Sequence, residues 1–99
     1  MHKYYFVLGI DCEKVLRAYV MLTTKPGTSM EVLKYIKEVS NIEGVIHADP
    51  VFGRFDAIVV VEAPSLERLS EIIYKVIEKV PNVIHTETAI VLTGLKSEG

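Results

Sequence analysis

The chain contains no tryptophan, no glutamine and a single cysteine, Cys12, among its 99 residues. One thiol excludes an internal disulfide framework and suits a reducing compartment, so the cytoplasm is the expected location. Charge of one sign is not in excess either: 11 Lys and Arg are interleaved with 13 Asp and Glu, for a net charge of -2. A phosphate-binding surface needs clustered cations, so direct nucleic-acid binding is not expected. No apolar run approaches the ~20 residues of a membrane-spanning helix, and no membrane association is expected. The short run Tyr4 to Ile10 ends near Cys12, but Asp11, Glu13 and Lys14 follow where a lipoprotein signal needs small residues. Missing glutamine beside plentiful charge leans weakly toward a thermophile composition.

Chemical motifs are scarce as well. There is no H-x-H, E-x-x-H or C-x-x-C spacing to seed a metal site. Pro26-Gly27 is a turn rather than part of a glycine-rich phosphate loop. Cys12 lies beside Asp11 and Glu13, which raise a thiol's pKa instead of activating it. No metal, cofactor or enzymatic activity is expected.

What is present is a repeat. Residues Ala18 to Thr23 and Asp56 to Val61 are apolar and strand-like, and each is followed by a proline-containing turn and a helical pattern. Each helix is then followed by a similar phrase, Gly44-Val45-Ile46-His47 and Asn82-Val83-Ile84-His85. Gly and Asn tolerate the left-handed backbone that ends a helix. Strand, helix, strand, twice over, predicts an α+β, ferredoxin-like βαββαβ fold. Thr28-Ser29-Met30-Glu31 reads as a capping box opening a helix from Ser29 to Ser40 that buries Val32, Leu33, Ile36 and Val39. Ser65 caps the second, whose stripe is Leu66, Leu69, Ile73, Val76 and Val80, widened by Ile72 and Ile77 and stopped by Pro81. A tight hairpin at Gly53-Arg54 joins the halves. Lys3 to Leu8 add an N-terminal strand, so residues 1–16 read as a hinge-like strand and turn ahead of a domain at 17–99.

The strands Tyr19 to Leu22, Ala57 to Val61 and Ala89 to Leu92 read as apolar on both parities. Two helices cover one face of a four-stranded sheet, so the other needs a cover. Leaving several Val, Ile and Tyr side chains bare forgoes on the order of 10 kcal/mol. Packing against the same face of a second copy recovers it, which predicts a homodimer.

One polar cluster is a candidate site. Gly53 and Asp56 flank the hairpin and place a carboxylate at the head of an apolar strand. Thr86 and Thr88 share a parity on the last strand. A carboxylate, hydroxyls and free amides at a strand end suit a zwitterionic amino acid. The plainer reading has Asp56 accepting hairpin amides and the threonines serving as good strand formers. His47 and His85 match across the repeat because duplication places both at the start of outer strands.

Residues Arg17 to Leu92 resemble the RAM domain (regulation of amino acid metabolism) of the Lrp/AsnC transcription regulators. The resemblance is carried by AYVMLTTKPG, by VFGRFDAIVVVEA with its Gly-x-x-Asp at Gly53 and Asp56, and by VPNVIHTETAIVL. The preceding YYFVLGIDCEKV is similar to that family's hinge strand. The resemblance implies the dimeric α+β barrel type of ferredoxin-like fold, with sheet-paired dimers assembling further, commonly to an octamer. It also implies an amino-acid effector between dimers, contacted by Gly53, Arg54, Asp56, Thr86, Thr88 and Ala89. No helix-turn-helix is expected ahead of the hinge. The expectation is a stand-alone amino-acid-binding regulatory module that modulates full-length Lrp/AsnC regulators. Two other classes compete: a ligand-free oligomerisation partner of such regulators, and a small enzyme on the dimeric α+β barrel fold.

Overall fold

A computed structural model describes residues 15–39 and 43–91. The element order is β1 (Leu16–Thr24), α1 (Ser29–Lys34) continued by a π-helical turn (Tyr35–Val39), β2 (Val45–Pro50), β3 (Ala57–Ala63), α2 (Leu66–Glu71) continued by a π-helical turn (Ile72–Val76) and a 3₁₀ turn (Ile77–Lys79), and β4 (Val83–Ile90). The antiparallel sheet has the order β2-β3-β1-β4, with each repeat's first strand central and its second at an edge. This is the predicted ferredoxin-like α+β arrangement. The expected strand at Lys3 to Leu8 lies outside the described residues, as does the side chain of Val39.

The repeat is visible in its two helix-to-strand junctions. Gly44 has φ +101 and Asn82 has φ 75, so the left-handed residues stand where the sequence placed them. Gly44 is doubly required: a Cβ there would lie 2.9 Å from both the Glu62 carbonyl oxygen and Ile72 Cδ1. Its own carbonyl accepts from the Glu62 amide, so the junction is pressed onto β3. The Asn82 carbonyl accepts from the Lys25 amide, tying the second junction to the end of β1.

The helices bury most of what their spacing predicted, with changes at their starts and at Val76, which the π-helical turn leaves only half-buried. Ser65 caps α2, its hydroxyl accepting from the Arg68 amide at 3.1 Å. Thr28 makes no capping bond to α1. Its hydroxyl turns back and donates to the Lys25 carbonyl at 2.7 Å, closing the Lys25 to Thr28 turn, so the capping box does not form. Leu66, in the first turn of α2, remains 54% exposed. The buried stripe is Leu69, Ile72, Ile73, Ile77 and Val80. The π-helical turn widens the spacing locally and helps bring both Ile72 and Ile73 inward.

The hairpin is longer than expected. Residues 51–56 connect Pro50 to Ala57, which are register partners. The Val51 amide donates to the Asp56 carbonyl across the base of this loop. Burial along β3 alternates strictly. Ala18, Val20, Leu22, Ala57, Val59 and Val61 are all 0% exposed beneath the helices. Their neighbours on the other parity form an open face with Tyr19, Met21, Ile58 and Val60 at its centre. The two-sided apolar pattern therefore holds for β1 and β3 but not for β4. By register, β4 carries Thr86, Thr88 and Ile90 on the helix face and His85, Glu87 and Ala89 on the open face. As an edge strand it is half-covered at best, and apolar side chains would gain little there.

Candidate functional site

The open face is apolar in the middle and charged at both ends. At one end Arg17 and Glu62 are register partners. Arg17 Nε donates to Glu62 Oε2 at 2.7 Å, and Nη2 donates to the same oxygen. The hydrogen bond it donates to this carboxylate holds the guanidinium's pKa above its ordinary value, with smaller support from Tyr19.

The β2–β3 hairpin lies at the other end. Gly53 has φ +141, a backbone state that L side chains rarely adopt, and no atom lies within 4 Å of where a Cβ would sit. That leaves the tip projecting. Arg54 stacks its guanidinium on the Phe55 ring, 5.4 Å from the centroid. It reaches Glu87 on β4 only at 3.8 Å, with its side chain 80% exposed. His85 Nε2 stands 3.9 Å from the same Glu87 oxygen. This end thus presents one weakly engaged cation beside one carboxylate, opposite charges a few ångströms apart in water.

Asp56 has a different task. Its Oδ2 accepts from the Thr24 amide at 2.8 Å and from the Thr24 hydroxyl at 3.3 Å. The Asp56 amide donates to the Leu22 carbonyl. The carboxylate therefore clamps the hairpin to the end of β1 instead of accepting amides of its own loop. Thr24 is the one buried polar residue among those described, at 5% exposure, and Asp56 satisfies both of its donors. Oδ1 of Asp56 has no donor among the described residues.

The structure brings Gly53, Arg54 and Asp56 together and leaves the threonines apart. Thr86 and Thr88 pair with Leu22 and Val20, on the helix side of the sheet. Thr86 is engaged there, donating to Glu78 Oε2 at 3.1 Å. Ala89 pairs with Tyr19 and shares the open face with Glu87. Sequence reasoning missed Glu87 and Thr24. Glu87 sits between the two threonines on the opposite parity, and only the strand register reveals that it faces Arg54. Thr24 was hidden as the ordinary last residue of a strand.

Among the described residues no group of three or more His, Cys, Asp and Glu side chains is placed to hold a metal ion. No described helix is long and apolar enough to cross a membrane. Two open grooves lie along the edge strands, one beside β2 and α1 and one beside β4 and the end of α2.

The sequence matches the Lrp/AsnC ligand binding domain over residues 17–99. A hypothetical protein from Pyrococcus horikoshii superposes with a TM-score of 0.68 at 30% identity, over 78% of this chain and 89% of that one. Two similar structures share the fold at lower identity. AsnC of E. coli gives a TM-score of 0.66 at 17% identity, over 85% of this chain and 55% of that one. A transcriptional regulator from Neisseria meningitidis, solved as a complex with L-Met, gives 0.66 at 15% identity, over 82% and 52% respectively. The chain thus spans about half the length of these two regulators. A search of curated proteins returns no match.

Proposed function

The chain belongs to the Lrp/AsnC ligand-binding domain family, and on that premise we propose that it is an amino-acid-binding regulatory module, not an enzyme, whose ligand meets the β2–β3 hairpin. The observation that carries this reading is the loose Arg54–Glu87 pair beside the projecting Gly53 tip. An exposed ion pair at this distance contributes little to stability, so separating it to admit a ligand costs little. Arg54 presents a planar fork of donors to a carboxylate. Glu87, with the open Oδ1 of Asp56, offers acceptors to an ammonium group. Gly53 lets the backbone approach the ligand without a side chain in the way. Ala89 borders the same face and leaves room for the ligand's own side chain. Thr86 and Thr88, on the far side of the sheet, enter such a site only from a neighbouring copy.

The L-Met complex of the Neisseria regulator supports an amino acid as the ligand class. The apolar centre of the open face, Tyr19, Met21, Ile58 and Val60, supports pairing of that face with a second copy. On this reading residues 17–99 form the sensing and assembly domain. Modulation of full-length regulators through mixed assemblies is the corresponding role in the cell, in the cytoplasm.

Thermal shift against the twenty amino acids tests the ligand. One or a few are expected to raise the melting temperature at millimolar concentration, and Arg54→Ala is expected to abolish the rise. If no amino acid stabilises the protein, the sensing role fails. A second reading, a ligand-free assembly partner, draws on the commitment of Asp56 to Thr24. It predicts co-purification with a full-length regulator with no amino acid response at all.

A further inference from the structure

The two edges of the sheet are not alike. The strand order leaves the outer sides of β2 and β4 unpaired among the described residues. Such a row of amides and carbonyls invites another strand, and proteins blunt it with bulges and proline. Strand β2 is blunted in both ways. Its register shifts between Val45 and His47. The Val51 amide donates inward to the Asp56 carbonyl, so alternation turns Pro50 outward, where it has no amide to offer.

Strand β4 carries neither device along its length. The Val91 amide donates inward to the Arg17 carbonyl at 2.8 Å, and the register runs unshifted from Ile90 back to His85. Alternation therefore turns the amides and carbonyls of Thr86, Thr88 and Ile90 outward. Residues Val83–Ile90 contain no proline and no lysine. Ile84 and Ile90 stand 58% and 42% exposed. An open groove of about 310 Å3 runs beside Val83, Ile84 and Thr86.

We propose that residues Lys3 to Leu8 of the same chain add a fifth strand to the outer edge of β4. They lie outside the described residues, and their Tyr, Phe and Val are strand formers. The connection is long enough. Strand β1 begins beside the end of β4, and a strand beyond β4 stands two strand spacings from β1, ~9.6 Å. Gly9 to Val15, seven residues, span up to ~23 Å. The outer side of β2, three spacings away, is also within that reach, so edge chemistry makes the choice. Because the segment must turn back to enter β1, it runs parallel to β4. Tyr4, Phe6 and Leu8 share one parity, and on the groove side they cover Ile84 and Ile90. This contact uses an edge of the sheet and not its open face, so it stands or falls apart from the sheet pairing proposed above.

Amide hydrogen exchange, read residue by residue by NMR on the full chain, tests it. In the wild type the outward amides of Thr86, Thr88 and Ile90 are expected to exchange within about tenfold of the inward amides of Glu87 and Ala89. A full chain carrying both Phe6→Pro and Val7→Pro removes a ladder amide whichever parity faces β4. In it the three outward amides are expected to exchange at least ~100-fold faster, with Glu87 and Ala89 unchanged. Isotope-labelled variant refolded with unlabelled wild type is expected to regain no protection. Free exchange at Thr86, Thr88 and Ile90 in the wild type, or slow exchange at Ala48 on β2 in their place, would overturn the strand. Protection that survives both prolines would mean that something else covers the edge, and protection regained in the mixture would mean that the segment serves another copy. Either result overturns the proposal, as does loss of protection at Glu87 and Ala89 together with the outward amides.

Discussion

The two faces of the sheet are built by the same strands and solve different problems. On the helix face six residues of β1 and β3 are fully buried, and α1 and α2 supply Val32, Leu33, Ile36, Leu69, Ile72, Ile73 and Ile77 against them. That face is complete within one chain. The other face holds Tyr19, Met21, Ile58 and Val60 half-covered, with Arg17–Glu62 at one end and Arg54–Glu87 at the other. The difference separates folding from function. One face holds the chain together, and the other is the face proposed above to take a second copy and a ligand.

The largest test of that division is a truncation on each side. Ile77→Ala, at a site 0% exposed, removes buried methylenes and is expected to cost about 2–5 kcal/mol, lowering the melting temperature by more than ~10 °C. Ile58→Ala on the open face is expected to cost less than half as much in dilute solution, with the gap closing as concentration rises. Equal losses at all concentrations would mean that the open face is already covered within one chain.

The two glycines sharpen the comparison at the next level. Gly44→Ala meets both a positive φ and two atoms at 2.9 Å, one of them backbone, and is expected to lose about 2–4 kcal/mol in a denaturant titration. Gly53→Ala meets only the unfavourable φ, with open space around it, and is expected to lose about 1–2 kcal/mol. Reversal of that order would place the hairpin, not the helix-face junction, at the centre of stability.

A smaller contrast lies in the helix caps. Ser65→Ala removes a bond to the Arg68 amide and is expected to cost about 1 kcal/mol, whereas Thr28→Ala removes only a turn bond and is expected to cost about half that. The smallest stability effect belongs to Arg54→Ala, whose partner stands at 3.8 Å in water. Its melting temperature without ligand is expected to match the wild type, and calorimetric titration with the stabilising amino acid is expected to show no heat of binding.

Much of the fold was legible because it is written twice. The Gly44 and Asn82 junctions and the helix stripes follow from matching the two halves, whereas β1 and β3, apolar on both parities, do not reveal which parity the helices cover. The starts of the helices were less so. Whether Thr28 caps a helix or closes the preceding turn depends on the backbone angles at Thr28 itself, and both outcomes suit the same four residues. The hairpin length was hidden because Val51, Phe52 and Phe55 are apolar without being strand.

The candidate site was half legible as an arrangement. Gly53, Arg54 and Asp56 are neighbours in sequence and had to lie together. Parity placed Thr86 and Thr88 on one face of β4, but not which face, because both parities of that strand mix apolar and polar residues equally and give no hydrophobic signal. The register with β1 decides it, and it puts Glu87 rather than the threonines beside Arg54.

Sedimentation equilibrium of Val60→Asp against the wild type tests the division of the two faces most directly. The wild type is expected to weigh at least twice its 11.1 kDa chain, and the variant to weigh one chain with an unchanged far-ultraviolet circular dichroism spectrum. A wild type that sediments as one chain at high micromolar concentration, or a Val60→Asp variant that keeps the wild-type mass, would contradict it.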